Sequence, residues 1–300
     1  MSLGTRGWRV GAAAGSMALV AAATVLSAAH EQVFRVDVHT VAVYATVTDA
    51  RGALVPDLTA ADFEIDDNGK RQAFAVFKSD LQPITVAILL DRSPSMFPIA
   101  ARARTAVSEF THRLLPDDRA CLGTFSHVVS LDPTLTSDQD ALLRHLGDDV
   151  PWPAGTAVWD AIEAARVALE HEGGRRVILL VSDAEDNCSR VNVDTVRLRL
   201  QQDAVMVYAV GVRGREGLDT TEIGALARAT GGWCFELKPA DDLAATTQRI
   251  ADELHRQYVL GFSPQTLDDK VHRIDVKVRT RGLTVRARRS YVASSHVDPR

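Results

Sequence analysis

The pattern of apolar and polar positions changes twice along the chain. Residues 34–47 alternate between apolar and polar side chains, which is typical of a strand with one buried face. Two further apolar runs, residues 63–65 and 74–77, lie on either side of Asp67-Asn68-Gly69, and Asn-Gly between such runs is a strong hairpin signal. We therefore predict a small antiparallel unit over residues 31–80, with these two runs as the arms of a hairpin.

The middle of the chain contains uninterrupted apolar runs separated by amphipathic segments. Residues 84–90, 177–181 and 205–210 have the composition of strands that are buried on both faces of a parallel sheet. The segments with a helical period span residues 98–115, 156–170, 194–202, 221–229 and 241–258. This alternation of strands and helices predicts a doubly wound α/β domain with a mainly parallel sheet.

The alternating pattern returns over residues 258–293. Two runs, residues 274–278 and 285–287, flank a turn at Arg281-Gly282-Leu283. Each of the two β segments is too short to bury enough surface to fold alone. We therefore predict that residues 258–293 pair with residues 31–80 and form a small antiparallel β module beside the α/β domain.

The first 29 residues have the composition of an export signal. Arg6 and Arg9 are the only charges, an Ala-rich apolar run follows, and Ser27-Ala28-Ala29 supplies the small residues that a signal peptidase reads. Residues 10–29 also approach the ~20 apolar residues needed to span a bilayer, so an uncleaved anchor is the alternative. Either form predicts that the rest of the chain lies outside the cytoplasm, periplasmic or secreted, with membrane contact only through an uncleaved anchor.

Composition narrows the class of protein. Lys and Arg number 34 and Asp and Glu number 39, so the formal net charge is −5, which argues against a nucleic-acid partner. A hydrophobic fraction of 46% is ordinary for a globular protein. Of the three cysteines, Cys121 falls in a predicted buried strand. Cys188 and Cys234 fall at opposite edges of the predicted sheet, so we expect no disulfide between them.

Carboxylates and hydroxyls follow two of the predicted buried strands. Asp91, Ser93 and Ser95 leave the first strand on alternate positions, so their side chains can converge. Asp183 follows a second strand, and Thr156 opens a helix between the two. Ligands of open α/β sheets bind at the carboxyl ends of the strands. Oxygen ligands of this kind suit a small, hard cation such as Mg²⁺.

In these residues the chain resembles the von Willebrand factor type A domain, and the cluster resembles the metal-ion-dependent adhesion site (MIDAS) of that family. The family pattern is Asp-x-Ser-x-Ser, a distant Thr and an Asp after the fourth strand. The matching residues are Asp91, Ser93, Ser95, Thr156 and Asp183. The resemblance covers about residues 82–257 and implies a Rossmann-like fold. Pro94 departs from the pattern, because the family often has a small residue there; a loop that needed a positive φ at this position would be distorted.

The flanks also resemble those of a bacterial exported subfamily of such proteins. The similar segments are Val47-Thr48-Asp49, Leu58–Phe63 and Tyr258–Phe262. The resemblance implies metal-dependent adhesion or assembly outside the cytoplasm, without catalysis. The metal would be Mg²⁺, with Mn²⁺ or Ca²⁺ as alternatives, and a Glu or Asp of a protein partner would complete its coordination.

Neighbouring residues leave alternatives open. Glu185 and Asp186 either add negative potential to the site or form a solvated loop. Asp160 either holds Thr156 or stabilises the start of its own helix. Arg92 lies beside the motif in sequence, and we expect it to be exposed.

The alternative function is a hydrolase that uses the same metal on a phosphoester or ester. Such an enzyme needs an acid or base in addition to the metal ligands. His112 and His127 are nearest to the motifs in sequence, and neither is clearly at the predicted strand edge. We therefore favour a binding module.

Overall fold

The computed structural model describes residues 40–147, 152–212 and 218–294. The predicted signal peptide or anchor at residues 1–29, and the start of the first predicted strand, lie outside the described residues. Within those ranges, no helix has both the length and the hydrophobicity to cross a membrane.

The elements alternate as the sequence predicts. The strands are β1 Val41–Thr48, β2 Phe63–Asp67, β3 Lys70–Arg71, β4 Val76–Lys78, β5 Ile84–Asp91, β6 Arg119–Phe125, β7 Val129–Leu131, β8 Arg175–Ser182, β9 Met206–Val212, β10 Cys234–Leu237, β11 Tyr258–Phe262, β12 Val271–Val278, β13 Thr284–Ala287 and β14 Ser290–Val292. The helices are α1 Ala100–His112, α2 Gln139–Arg144, α3 Val158–Ala168, α4 Val193–Gln202, α5 Thr221–Thr230 and α6 Leu243–His255.

A six-stranded sheet forms the centre of the α/β part, in the order β10-β9-β8-β5-β6-β7. The first five strands are parallel, and β7 is an antiparallel edge strand. Every residue of β5 is buried, which explains why its sequence is continuously apolar rather than alternating. The predicted doubly wound, mainly parallel sheet is confirmed.

Helices cover both faces of this sheet. Because successive side chains of a strand point to opposite faces, Ile84, Val86 and Ile88 of β5 pack in a core with α1, α2 and α6. Ala87 and Leu89 pack in a second core with α3, α4 and α5. Helix α5 ends at Gly231, whose φ of 90° is the left-handed conformation that commonly terminates helices.

The two flanks pair with each other, so the predicted antiparallel module is present. One four-stranded sheet has the order β13-β1-β11-β4, and the other has the order β14-β12-β2-β3. Val43 of β1 pairs with Leu260 of β11, and Ile65 of β2 pairs with Val276 of β12. Apolar side chains of both sheets form a third buried cluster. Each flank thus supplies the hydrophobic partner that the other lacks.

The predicted hairpin is wrong in its second arm. Asn68 and Gly69 do form the turn, with φ values of 48° and 78°, but β2 turns directly into the two-residue strand β3. The run at residues 74–77 contributes to β4, which pairs with β11 in the other sheet. Pairing with a strand about 180 positions away leaves no local signal in the sequence.

The three cysteines are free thiols. Cys121 is buried in β6, as predicted for a small core residue, while Cys188 is exposed. Burial raises the pKa of the Cys121 thiol to about 12, so this thiol is inert at neutral pH.

Candidate metal centre

The carboxyl ends of β5 and β8 bring two aspartates together. Asp91 is the last residue of β5, Asp183 directly follows β8, and the two strands are neighbours in the sheet. Both residues are only 1% exposed. The sequence therefore places two carboxylates side by side at the edge where ligands of parallel sheets bind.

Burial raises the pKa of the Asp91 carboxyl from 3.8 to about 6, and repulsion by the Asp183 carboxylate adds to this effect. Hydrogen bonds from Ser182 and Ser93 lower the pKa of Asp91 and so act in the opposite direction. The Ser182 hydroxyl donates to Asp91 Oδ2 at 2.5 Å, and the backbone N–H of Ser93 donates to Oδ1 at 2.7 Å. The raised pKa comes mainly from burial, so a charged Asp91 is costly in the folded protein, and a cation at this place would reduce that cost.

Of the two predicted serines, Ser93 directly precedes a short 3-10 helix after β5 and Ser95 lies in it. This helix spans Pro94–Ile99, and the Oγ atoms of Ser93 and Ser95 are 3.0 Å apart. Pro94 occupies the first helical position, where its fixed φ fits and where its missing N–H costs no hydrogen bond. The departure from the family pattern at Pro94 therefore leaves the loop undistorted.

Thr156 reaches the same edge on a separate loop. Its backbone N–H donates to Asn187 Oδ1 at 2.8 Å, and its carbonyl accepts from the N–H of Asn187 at 3.0 Å. These bonds tie Thr156 to the segment that follows Asp183. Its hydroxyl makes no hydrogen bond within the described parts of the chain, although the residue is only 4% exposed. This hydroxyl is thus left for a ligand or for water.

Asp186 and Ser189 have a role that the sequence did not indicate. Asp186 Oδ1 accepts from the backbone N–H of Val158 at 2.8 Å, and Ser189 Oγ accepts from that of Trp159 at 3.0 Å. The loop after β8 therefore caps the N-terminus of α3. Asp186 is thus a half-buried capping residue and not part of a solvated loop, whereas Glu185 is exposed.

Asp160 does not hold Thr156. Its Oδ1 accepts from the backbone N–H groups of Arg190 at 3.0 Å and Val191 at 3.1 Å, so it fixes the far end of the loop after β8. Within that loop, Ala184 has a φ of 64°, an uncommon conformation for a residue other than glycine. Capping and carboxylate contacts together hold this strained segment beside Asp183.

Arg92 is buried, contrary to the expectation that it is exposed. It is 3% exposed, its Nη1 donates to the carbonyl of Gly147 at 3.2 Å, and its guanidinium lies 5.0 Å from the centre of the Trp152 ring. Phe97 packs on the same ring at 5.5 Å and is itself 64% exposed. An exposed aromatic side chain, rather than an arginine, therefore stands next to the Ser93–Ser95 loop.

His127 lies at the same edge of the sheet as the site. It follows β6, and its Cβ would be 3.1 Å from a side chain placed at Gly155. It makes no hydrogen bond with any of the five predicted ligands among the residues that the structure describes. His112 lies in the last turn of α1, at the end of that helix away from the Ser93–Ser95 loop. In the same ranges no cluster of three or more His, Cys, Asp and Glu side chains forms a metal site of another kind.

Replacing Gly155 by alanine is expected to lower the unfolding free energy by about 2 kcal/mol, because its φ of 93° is strained for any other residue. The new Cβ would also lie 3.1 Å from Cys188 Sγ and 3.1 Å from His127 Cβ, which would displace the Thr156 loop. Gly52→Ala is the matched control, since Gly52 has a φ of 79° and open space around it. Denaturant unfolding measures the loss of unfolding free energy in both variants. Equal losses would contradict the argument from the contacts with Cys188 and His127.

The fold, with polar side chains at the carboxyl edge of its parallel sheet, is that of a type A domain. The von Willebrand factor type A domain model matches residues 85–249, more than half of the chain, so the chain belongs to this family. Domains of this family generally mediate protein–protein interactions and are typically not enzymes. No curated protein matches the chain.

Solved structures resemble the chain in fold. A von Willebrand factor type A protein from Catenulispora acidiphila is 12% identical, with a TM-score of 0.53 over 80% of this chain and 76% of that one. Proximal thread matrix protein 1 from the mussel byssus is 17% identical, with a TM-score of 0.50 over 68% of this chain and 49% of that one. An aerotolerance-related membrane protein from Bacteroides fragilis is 19% identical, with a TM-score of 0.49 over 57% of this chain and 98% of that one.

Proposed function

We propose that this protein is a metal-dependent protein-binding module that acts in adhesion or assembly outside the cytoplasm. The ligands of the metal would be Asp91, Ser93, Ser95, Thr156 and Asp183. A Glu or Asp side chain of the partner would complete the coordination. The observation that carries the proposal is that Asp91 and Asp183 lie at the ends of neighbouring strands at the carboxyl edge of the sheet, with Ser93 and Ser95 just after Asp91 and with Thr156 bonded to the segment after Asp183. Each of the five residues is between 1% and 7% exposed.

The chemistry of the donor set supports a small divalent cation. Two carboxylates would neutralise its charge, and three neutral hydroxyls would leave it electrophilic toward one further anionic oxygen. Mg²⁺ prefers oxygen ligands and keeps open positions for water or substrate, so it fits best, with Mn²⁺ or Ca²⁺ as alternatives. The bound metal would supply an attachment point for a partner carboxylate.

The surface around the site supports a protein partner. Phe97 is 64% exposed two residues after Ser95, and aromatic side chains are enriched at protein interfaces. Its ring is held against Trp152, which itself packs on Arg92, so the aromatic contact is positioned in advance. The location outside the cytoplasm depends on the leader-like sequence of residues 1–29.

Asp183→Asn is expected to weaken Mg²⁺ and Mn²⁺ binding by about a hundredfold or more, because loss of even an outer contact to a metal ligand costs 10- to 100-fold. Isothermal titration calorimetry with each metal alone measures this. Glu185→Gln is the matched control: it removes one negative charge two residues away, from an exposed side chain. Equal affinities in the two variants would show that Asp183 is not a ligand.

Partner capture tests the second half of the proposal. Wild-type protein on a resin, incubated with the envelope fraction of the source organism, is expected to retain a partner in Mg²⁺ and to release it in EDTA. The Asp183→Asn protein should retain none, and the Glu185→Gln protein should behave as wild type. Capture that survives both EDTA and Asp183→Asn would rule out a metal-mediated contact.

A further inference from the structure

A second site is suggested by a cavity of about 300 Å³ far in sequence from the candidate metal ligands. It lies where the end of α5 and the segment before β10 meet β12 and β13, and we call it the arginine cavity. Among the described residues, Asp275 is its one acidic lining residue. Its arginines are Arg228, Arg273, Arg286, Arg288 and Arg289.

Most of this positive charge is not neutralised by the protein. Arg286 pairs with Glu253 at 2.6 Å, and Asp275 pairs with Lys277 at 3.0 Å. The other four arginines make no ion pair with any carboxylate in the described ranges. The chain as a whole carries a net charge of −5, so acidic residues are not scarce. Four like charges around one cavity repel each other unless an anion lies between them.

Arg288 has a buried donor without an acceptor in the described parts of the chain, although its guanidinium lies 5.9 Å from the centre of the Tyr291 ring and the residue also lines a neighbouring cavity. Its Nε is buried and makes no hydrogen bond within the described residues. Burial lowers the pKa of Arg288 to about 10, so the guanidinium is still charged at neutral pH. Its backbone packs closely against the end of α5, because a Cβ at Gly231 would lie 2.7 Å from the Arg288 nitrogen. A buried donor without an acceptor is costly, and an oxyanion would satisfy it.

We propose that the arginine cavity binds a phosphate group. Arginine is the side chain best suited to phosphate, because its planar N–H donors match two phosphate oxygens at once. A second feature prepares the site: the Arg286 guanidinium lies 4.8 Å from the centre of the Trp233 ring and is held by Glu253. The volume, about 300 Å³, is at the small end of ligand sites and fits a phosphate with a short substituent. The phosphate would come from a soluble ion or ester, or from a phospholipid headgroup.

The test uses the whole protein in EDTA, so that the metal site plays no part in the result. Calorimetric titration with inorganic phosphate and with glycerol phosphate measures soluble ligands. Co-sedimentation with phosphatidylglycerol vesicles, against phosphatidylcholine vesicles, measures the headgroup. Wild-type protein is expected to bind at least one of these probes. Arg273→Ala/Arg289→Ala should weaken that binding at least about tenfold, since each lost charged hydrogen bond costs several-fold in affinity.

Both substituted side chains are exposed, so this double variant is expected to fold, and circular dichroism verifies that it does. Arg281→Ala is the charge-matched control, because Arg281 is exposed on the turn between β12 and β13 and does not line the cavity. Binding of a soluble probe that is lost only in the double variant identifies a soluble phosphate. Vesicle binding with the same dependence identifies a headgroup. No binding of any probe, or binding equally affected by Arg281→Ala, would overturn the proposal.

Discussion

Glu253→Ala is expected to lower the unfolding free energy by about 3–5 kcal/mol, the loss typical when one partner of a buried ion pair is removed. Glu253 lies on α6, is 3% exposed, and joins the α/β part to the β module. Its Oε2 accepts from Arg286 of β13 at 2.6 Å, and its Oε1 accepts from Thr46 of β1 at 3.0 Å. The Tyr208 hydroxyl of β9 also donates to Oε1.

The size of this loss follows from what the substitution leaves behind. Arg286 would keep its positive charge with only 19% of its side chain exposed and with no carboxylate to balance it. Thr46 and Tyr208 would lose an acceptor in a buried place, and each unsatisfied group adds to the cost. Gln257, which donates to both hydroxyls at 3.0 and 3.1 Å, extends the disturbance across the same junction.

Asp252→Ala is the matched control for this prediction. Asp252 is the preceding residue of α6 and also pairs with an arginine, Arg113, at 3.1 Å, but both side chains are nearly half exposed. Exposed pairs contribute about 1 kcal/mol or less, so the control should unfold almost as the wild type does. Urea unfolding of both variants decides the question. Equal losses would mean that the buried network does not hold the module to the α/β part.

The elements that the sequence predicted well are those whose signal is local. An uninterrupted apolar run such as residues 84–90 identifies a strand buried on both faces, because no half-exposed strand tolerates it. Asp91, Ser93 and Ser95 also lie within five residues, so their proximity is a local property, although a short 3-10 helix and not strand alternation brings the two serine hydroxyls together. Each flank of the β module is too short to fold alone, so its pairing with the other flank could also be predicted.

The features that the sequence did not show depend on contacts between distant segments. Asp186 caps a helix whose first residue lies 28 positions earlier in the chain. A capping residue is recognised in a sequence by the helix that directly follows it, so this role could not be predicted. Arg92 is buried because Trp152 covers it, and the strand β4 pairs with β11 instead of its sequence neighbour. The arginine cavity combines α5, β12 and β13 in the same way. Such contacts are specified by the whole fold, not by any window of the sequence.

Without metal at pH 7, Asp91→Asn is expected to raise the unfolding free energy by up to about 3 kcal/mol, because each unit of pKa shift corresponds to about 1.4 kcal/mol and the amide loses one of the two acceptor oxygens. Burial raises the pKa of Asp91 from 3.8 to about 6, so the folded state prefers the neutral carboxyl. The wild-type contribution is therefore fully present below about pH 4 and is lost as the pH rises through 6. Asparagine carries no charge at any pH, so the difference between the two proteins should grow between pH 4 and pH 6.

Mg²⁺ should make the wild type more stable than Asp91→Asn. At a concentration a thousand times its dissociation constant, a ligand that binds only the folded state adds about 4.1 kcal/mol, and at the proposed site only the wild type has the carboxylate needed to bind it. Asp132→Asn is the control, because Asp132 is exposed and lies outside the site. Its unfolding free energy should match that of the wild type in EDTA and in Mg²⁺. Urea unfolding across pH 4–7.5 in both conditions tests the pair. Equal stabilisation of wild type and Asp91→Asn by Mg²⁺ would place the metal elsewhere, and a pH-independent difference in EDTA would show that Asp91 and Asp183 do not strain the metal-free fold.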